Sequence, residues 1–274
     1  MITMPDNDSQ QQQAQFEIVD EHVARIVLNR PERLGAYTPI MCEELLDAIR
    51  QYRLDDNLRA LILTGTGRGF CTGGDISPDA GFDNDLSSQV GRARELREHS
   101  HAIVTALHKL DKPVICAVNG IAVNGGLTLA LACDLRIASA SARLGDTSGR
   151  AGLLPDEGGA WLLPRTMGYD KAYRMIAYSE IYDARTAFDF GLVTEVVPDT
   201  ELEERSRALA RQLAEKAPLA LRAVKFMMRR AMESSLESSL GDAQQAVLWV
   251  GPSADATEGK TAFLEHRSPR FSGR

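Results

Sequence analysis

Ala117-Val118-Asn119-Gly120-Ile121-Ala122-Val123-Asn124-Gly125-Gly126-Leu127-Thr128-Leu129-Ala130-Leu131-Ala132-Cys133-Asp134 is the stretch on which the reading of this chain turns. The run from Pro113 to Val118 is short and apolar throughout, as a strand buried on both faces must be. It enters a Gly/Asn turn, and an apolar helix opens near Gly125. The first N–H groups of a helix have no intrahelical acceptor and lie at the positive end of its dipole. Glycine lets a ligand approach that backbone closely. An oxygen that gains negative charge during a reaction is stabilised in such a place.

Outward from this centre, strand and helix patterns alternate. Phe16 to Asn29 reads as a strand pair turned near Asp20-Glu21, and Met41 to Leu54 as an amphipathic helix. Arg59 to Thr64 is a buried strand ending in the turn Gly65 to Gly69. Asp79 to Gln89 is polar and reads as mobile, and Val90 to Leu110 reads as helical. Beyond the centre, Leu135 to Ser139 is a strand and Leu144 to Gly159 a Gly-rich loop. Asp170 to Tyr178 and Ala184 to Phe190 are helical, Val193 to Val197 is a strand, and the pattern from Thr200 onward is almost wholly helical. This order predicts an α/β fold with a helical C-terminal region.

Composition narrows the function. The 274 residues are 44% hydrophobic, enough for a substantial core. A net charge of −7 leaves no basic surplus for nucleic acid. Cys42, Cys71, Cys116 and Cys133 are scattered without a CxxC pair, which fits a reducing, cytoplasmic compartment. No apolar run reaches membrane-spanning length, and Met1 to Gln15 lacks the apolar core of a secretory signal and reads as a disordered tail. The histidines show no HExxH, and no GxSxG occurs, so neither a metal site nor a nucleophile elbow is expected. The spacing of Gly69 to Gly74 resembles a phosphate loop, but Asp75 stands where that loop needs a lysine.

An ordered set of motifs carries a family resemblance: Arg30-Pro31-Glu32-Arg33-Leu34, Leu63 through Gly73-Gly74-Asp75-Ile76, Lys112 through Arg136, Gly152 through Arg165, Ala187 through Val193, and Glu258 through Leu264. On these motifs the chain resembles the enoyl-CoA hydratase/isomerase (crotonase) superfamily. The resemblance implies a spiral of ββα units with a helical C-terminal trimerisation region, often a dimer of trimers. It implies an acyl-CoA thioester substrate, a place in fatty acid metabolism, and no cofactor or metal, coenzyme A being part of the substrate. The implied division is a tail over 1–15, an acyl-CoA-binding core over 16–199 and a helical oligomerisation region over 200–274. By motif position the two oxyanion-binding N–H groups fall on Gly74 and Gly125. Arg33, Leu34, Gly73, Asp75 and Ile76 fall near the nucleotide end of coenzyme A, with Lys260 and Phe263 completing that pocket from the tail or a neighbouring subunit.

The catalytic acids depart from the family pattern. Its hydratases carry two glutamates that activate a water, and their positions correspond here to Thr128 and, at or near, Ser148. Hydroxyls hydrogen-bond a water but do not take its proton near neutral pH. A loop shift of two would bring Asp146 to the second position. Asp156 and Glu157 follow in the same loop. Isomerases of the superfamily place an aspartate at the position of Asp156, which makes it the expected proton shuttle, with Glu157 the second candidate. Asp156 as a helix N-cap is the competing structural reading. Tyr37, Tyr178, Tyr182 and, above all, Trp161 are candidates for lining an acyl pocket. The expectation is an isomerase. The alternatives are a hydratase with a non-standard water site, a C–C bond hydrolase, and a non-catalytic acyl-CoA-binding paralogue.

Overall fold

The computed structural model describes residues 12–82 and 89–274. In chain order it comprises β1 (Ala14–Asp20), β2 (Val23–Leu28), α1 (Pro39–Leu54), β3 (Ala60–Gly65) and β4 (Gly69–Cys71). Helix α2 (Gln89–Glu95) passes through a π-helical turn, Leu96–Ser100, into α3 (His101–Lys109). Then come β5 (Val114–Val118), β6 (Ile121–Val123), α4 (Gly125–Ala132), β7 (Leu135–Ser139), β8 (Arg143–Gly145), α5 (Gly159–Met167), α6 (Tyr169–Tyr178), β9 (Ile181–Asp183), α7 (Ala184–Asp189) and β10 (Glu195–Val197). Helices α8 (Leu202–Ala214), α9 (Pro218–Ala231), α10 (Leu236–Val250) and α11 (Ala254–Leu264) complete it.

The long strands form one sheet in the order β1-β2-β3-β5-β7-β10, parallel except for the β1-β2 hairpin. The three-residue strands form a second sheet, β4-β6-β8-β9. Each turn of the spiral lays one strand in each sheet and returns through helix. The second sheet was not read from the sequence, because three residues are too few to show alternation.

Alternate residues of the first sheet serve two cores, as the pleat requires. Ala60, Ile62, Ile115, Ala117 and Ile137 pack with Leu202, Ala210 and Ala214 of α8. Leu61, Leu63, Cys116 and Val118 face the larger core with α1, α3 and α4. All eight residues of α4 are buried, so it is a core helix with no polar face. Helix α1 starts where expected: Pro39 occupies its first turn and the Thr38 hydroxyl accepts the Met41 N–H at 3.1 Å.

One boundary moves. Strand β1 begins at Ala14, inside the stretch read as a tail, because Glu44 Oε2 accepts the N–H groups of Gln13 and Ala14 at 2.7 Å. The rest of that reading, residues 1–11, lies outside the described residues, as does 83–88 of the polar segment read as mobile. Helix α9 is tied to the core through Asp134, whose carboxylate meets Lys225 Nζ at 2.6 Å and Arg229 at 3.1 Å. Helices α9 to α11 leave Phe226, Leu240, Leu248 and Phe263 exposed.

Candidate active site

The turn after β5 is closed by Asn119. Its side-chain amide donates to Gly67 and Gly69 carbonyls at 3.1 and 3.0 Å, and its oxygen accepts the Gly65 N–H at 2.9 Å. This ties the exits of β3 and β5 together. After β6 the chain passes Asn124 with φ +54 and ψ −127, a conformation that costs about 1–3 kcal/mol for a residue with a Cβ. The surroundings hold it there. Asn124 Oδ1 accepts the Thr147 N–H at 2.7 Å, and its carbonyl accepts the Thr128 N–H at 3.0 Å. The next residue, Gly125, opens α4 with its N–H free of any intrahelical acceptor.

A second turn meets this one. Tyr37 pairs with Gly74 in a parallel bridge, its N–H donating to the Gly73 carbonyl at 3.0 Å and its own carbonyl accepting the Asp75 N–H at 2.9 Å. That pattern turns the Gly74 N–H to the opposite side from Tyr37. Gly73 has φ +93, and a Cβ there would lie 3.1 Å from the Gly125 nitrogen, so the two turns are in contact. A Cβ on Gly126 would collide with the Cys71 carbonyl, so α4 sits directly against β4. Glycine is required at these two positions by close approach, in addition to any ligand.

Of the two loop acids, Glu157 is the one brought to this point. Its carboxylate sits so near Gly125 that a Cβ on that residue would collide with Oε2, and its Oε1 is 3.8 Å from the corresponding position on Gly74. The Tyr37 hydroxyl donates to Glu157 Oε1 and lies 3.3 Å from Ser100 Oγ. Burial raises the Tyr37 phenol well above its ordinary pKa, and the nearby Glu157 charge adds to the rise. Asp156 lines the same cavity, of about 350 Å³, but is not among the atoms nearest either glycine. Its backbone carbonyl is held by His101 Nε2 at 2.7 Å. The cap of α5 is Gly158 with φ +106, with no side-chain bond, so the N-cap reading of Asp156 is overturned. Both acids thus line one cavity, with the Glu157 carboxylate the nearer of the two to the glycines.

Thr128 and Ser148 also line the cavity and are buried. Thr128 packs against the α5 start: its methyl is 3.4 Å from the Cβ position of Gly158, and its hydroxyl 3.4 Å from that of Gly159. Ser148 donates to Asp146 Oδ1 from its hydroxyl at 2.5 Å and its N–H at 3.0 Å. At the mouth, Asp75 pairs with Arg30 at 2.9 Å. Burial pushes its carboxyl up, but the Ser77 hydroxyl and N–H and the Arg30 guanidinium overcome this and hold it below the usual range. Ile76 lines the mouth and is 81% exposed. Leu34, with φ +52, and Arg33, 3.8 Å from Asp79, lie on the preceding turn.

Several candidates are not brought there. Trp161 packs on His108 with ring centroids 5.4 Å apart and under the Arg165 guanidinium, away from the cavity wall. Tyr178 is exposed, and Tyr182 stacks edge-on against Phe190. Lys260 and Phe263 lie on α11 and do not line the cavity within this chain. Sequence reasoning missed Ser100 and Asn124. The first depends on a π turn, and the second reveals itself only as a non-glycine in a glycine-like conformation.

The chain is similar to known proteins along nearly its whole length. Residues 19–274 match the enoyl-CoA hydratase/isomerase family. The chain is 38% identical over 260 residues to the 1,2-epoxyphenylacetyl-CoA isomerase of Escherichia coli, covering 93% of this chain and 97% of that one. It is 35% identical over 258 residues to the (E)-benzylidenesuccinyl-CoA hydratase of Thauera aromatica, covering 93% and 97%. The crystal structure of an enoyl-CoA hydratase from Bacillus anthracis superposes with a TM-score of 0.90 at 33% identity, covering 96% of this chain and all of that one. The chain belongs to the enoyl-CoA hydratase/isomerase (crotonase) superfamily of acyl-CoA enzymes.

Proposed function

We propose that this enzyme moves a double bond along an acyl-CoA, with Glu157 carrying the proton. The thioester carbonyl accepts hydrogen bonds from the Gly74 and Gly125 N–H groups. Glu157 removes the proton from the α-carbon of a 3-enoyl thioester, and the electron pair moves onto the carbonyl oxygen as a dienolate. The resulting carboxylic acid returns the proton to the γ-carbon, leaving a 2-enoyl thioester with no gain or loss of atoms. Preorganised donors aimed at that oxygen contribute on the order of 10²–10³-fold each. The positioned base contributes on the order of 10²–10⁴-fold.

The observation that carries this reading is the placement of the Glu157 carboxylate beside Gly125, with hydroxyls at Thr128 and Ser148. A single carboxylate suffices to shuttle one proton, whereas activating water in the family's usual way takes two. A hydratase is the second reading. It is favoured by Asp146, whose buried carboxylate on the cavity wall could orient a water together with Ser148.

On either reading Arg33, Leu34, Gly73, Asp75 and Ile76 flank the coenzyme A entrance. Self-association as a trimer or a dimer of trimers would cover the exposed apolar side chains of α9 to α11 and could bring Lys260 and Phe263 of one copy toward the cavity of another. Products of 2-enoyl-, 3-enoyl- and dienoyl-CoA incubated in deuterated buffer decide between the readings. A shifted double bond with deuterium incorporation and no added water is expected. Addition of one water that survives in Glu157→Gln would overturn the isomerase and leave the hydratase. Binding of acyl-CoA without turnover would overturn both in favour of a non-catalytic paralogue.

A further inference from the structure

Beside Gly125 the Glu157 carboxylate meets Tyr37, and that side chain is firmly held. Tyr37 is 2% exposed. Its backbone is bonded on both sides to the Gly73-Gly74-Asp75 turn, so the bridge that orients the Gly74 N–H also orients the tyrosine. Its ring packs edge-on against Phe82, with centroids 6.4 Å apart. Its hydroxyl lies beside Gly125, where a Cβ would collide with it. Behind it stands Ser100, the last residue of the π turn and itself buried. A π turn inserts one residue into a helix and re-aims the side chains beyond it. A phenol has one proton to give, and it goes to Glu157. Ser100 Oγ lies 3.3 Å from the tyrosine oxygen, so Tyr37 stands between Ser100 and Glu157 in one polar cluster.

We infer that Tyr37 is the positioning residue of the proton shuttle: its hydroxyl, backed by Ser100, fixes the Glu157 carboxylate over Gly125 and solvates its charge. The inference rests on Glu157 being the base. A hydrogen bond donated to a carboxylate favours its ionised form, and such a bond to a charged group is among the stronger ones a protein makes. It matters most where the cavity offers little water. In a two-glutamate site the second carboxylate constrains the first. Here a neutral donor takes that place and adds no second charge to the cavity. The phenol stays protonated because burial and the Glu157 charge both raise its pKa. Among the described residues, titratable or charged groups near Glu157 include Cys42 on α1, Cys71 on β4, and Asp75, Asp146, Arg150 and Asp156 along the cavity wall. Both thiols are raised by burial, Cys71 to about 12, so neither changes charge where the enzyme would work.

The test is α-proton exchange of an acyl-CoA in deuterated buffer, monitored by NMR across a pH range for wild type, Tyr37→Phe, Ser100→Ala and Glu157→Gln. Without the phenol the base holds its proton more tightly, so the acid limb of kcat/KM for Tyr37→Phe moves to higher pH by about one unit. Its kcat falls roughly 10- to 100-fold with KM within about threefold. Ser100→Ala shifts the limb the same way by less, and it serves as the test should Tyr37→Phe lose thermal stability. A lower rate with an unmoved acid limb in both variants makes the tyrosine merely structural and overturns the inference, as does an unaltered rate. Exchange that survives Glu157→Gln overturns the choice of base, and the inference falls with it. If Glu157→Gln abolishes exchange while the limb of Tyr37→Phe stays put, only the role of Tyr37 is lost.

Discussion

The two walls of the cavity do their work with different parts of the chain. On one wall, the turns at Gly73-Gly74 and Asn124-Gly125, the groups proposed to act are backbone N–H. They are placed by contacts that tolerate no alternative: Gly126 against the Cys71 carbonyl, Gly73 against the Gly125 nitrogen, Asn119 across two strand exits. On the other wall, Asp146 to Gly158, the groups proposed to act are side chains on a loop whose residues 151–154 are exposed. Gly152 and Gly158 both take positive φ there, +67 and +106. The first wall is fixed by the core, and its chemistry follows from the fold. The second is fixed by turn geometry, so which of two adjacent acids faces the reaction is a local matter. Substitutions that exchange backbone chemistry for bulk, or one acid for its neighbour, separate the two.

The largest effect is expected at the backbone wall. In Gly125→Ala the new methyl meets both Glu157 Oε2 and the Tyr37 hydroxyl. The displaced carboxylate and the blocked N–H together should cost at least about 10³-fold in kcat/KM for proton exchange, and the shift forced on the buried Tyr37 should lower the melting temperature as well. Activity within tenfold of wild type would mean that this N–H is not used. Next comes the loop wall, where Glu157→Gln should lower exchange about 10²-fold or more, while Asp156→Asn stays within about threefold. The reverse order would restore Asp156 as the shuttle and show that the loop turns differently when substrate is bound.

The same contrast explains what was legible in the sequence. The strand-turn-helix around Gly125 was readable because a buried parallel strand and an all-apolar helix leave strong marks, and a glycine pair between them has few structural meanings. The facing of Asp156 and Glu157 was not. Adjacent side chains on a turn diverge, and the left-handed conformation at Gly158 that chooses between them has no signature beyond the glycine itself. Tyr37 was legible as one of four candidate pocket aromatics, but its tie to Glu157 was not. Its partner lies 120 positions away along the chain, and no periodicity connects them. Trp161 shows the opposite case: a large aromatic after an acidic loop has the composition of a pocket wall, and in this chain it packs on His108.

A sharper probe of the loop wall is Thr128→Glu, which puts a carboxylate where the hydratases have one. Thr128 is 3% exposed and packs on Gly158 and Gly159, the residues that follow Glu157. The longer, charged side chain must displace that turn, so destabilisation of about 2–3 kcal/mol is expected in urea unfolding, with no hydratase activity gained. Hydration of a 2-enoyl-CoA by this variant would show that the second water-holding group is already present in the loop, and Asp146 would be the residue to examine.

The smallest expected effect returns to the backbone wall, at its mouth. Asp75 is 7% exposed, accepts from Ser77 and pairs with Arg30, so it braces the residue next to Gly74. Its folded carboxyl is held below the model-peptide value of 3.8, with burial opposing and the Ser77 and Arg30 contacts prevailing. A carboxyl lowered by folding adds stability that is fully present above its unfolded pKa and is lost as pH falls through the folded one. Asp75→Asn should therefore cost about 1 kcal/mol in urea unfolding at pH 7, and the gap between wild type and variant should close as pH falls below about 3.8. A gap that stays constant with pH would mean that the charge of Asp75 contributes nothing and that its hydrogen-bonding shape alone braces the turn. The exchange rate of the variant near neutral pH then tells how rigid the Gly74 N–H must be. If bracing matters only for stability, kcat is unchanged. If the oxyanion site depends on it, kcat falls several-fold while KM for the acyl-CoA moves little, because the lost interaction is one that strengthens only as charge develops on the carbonyl oxygen.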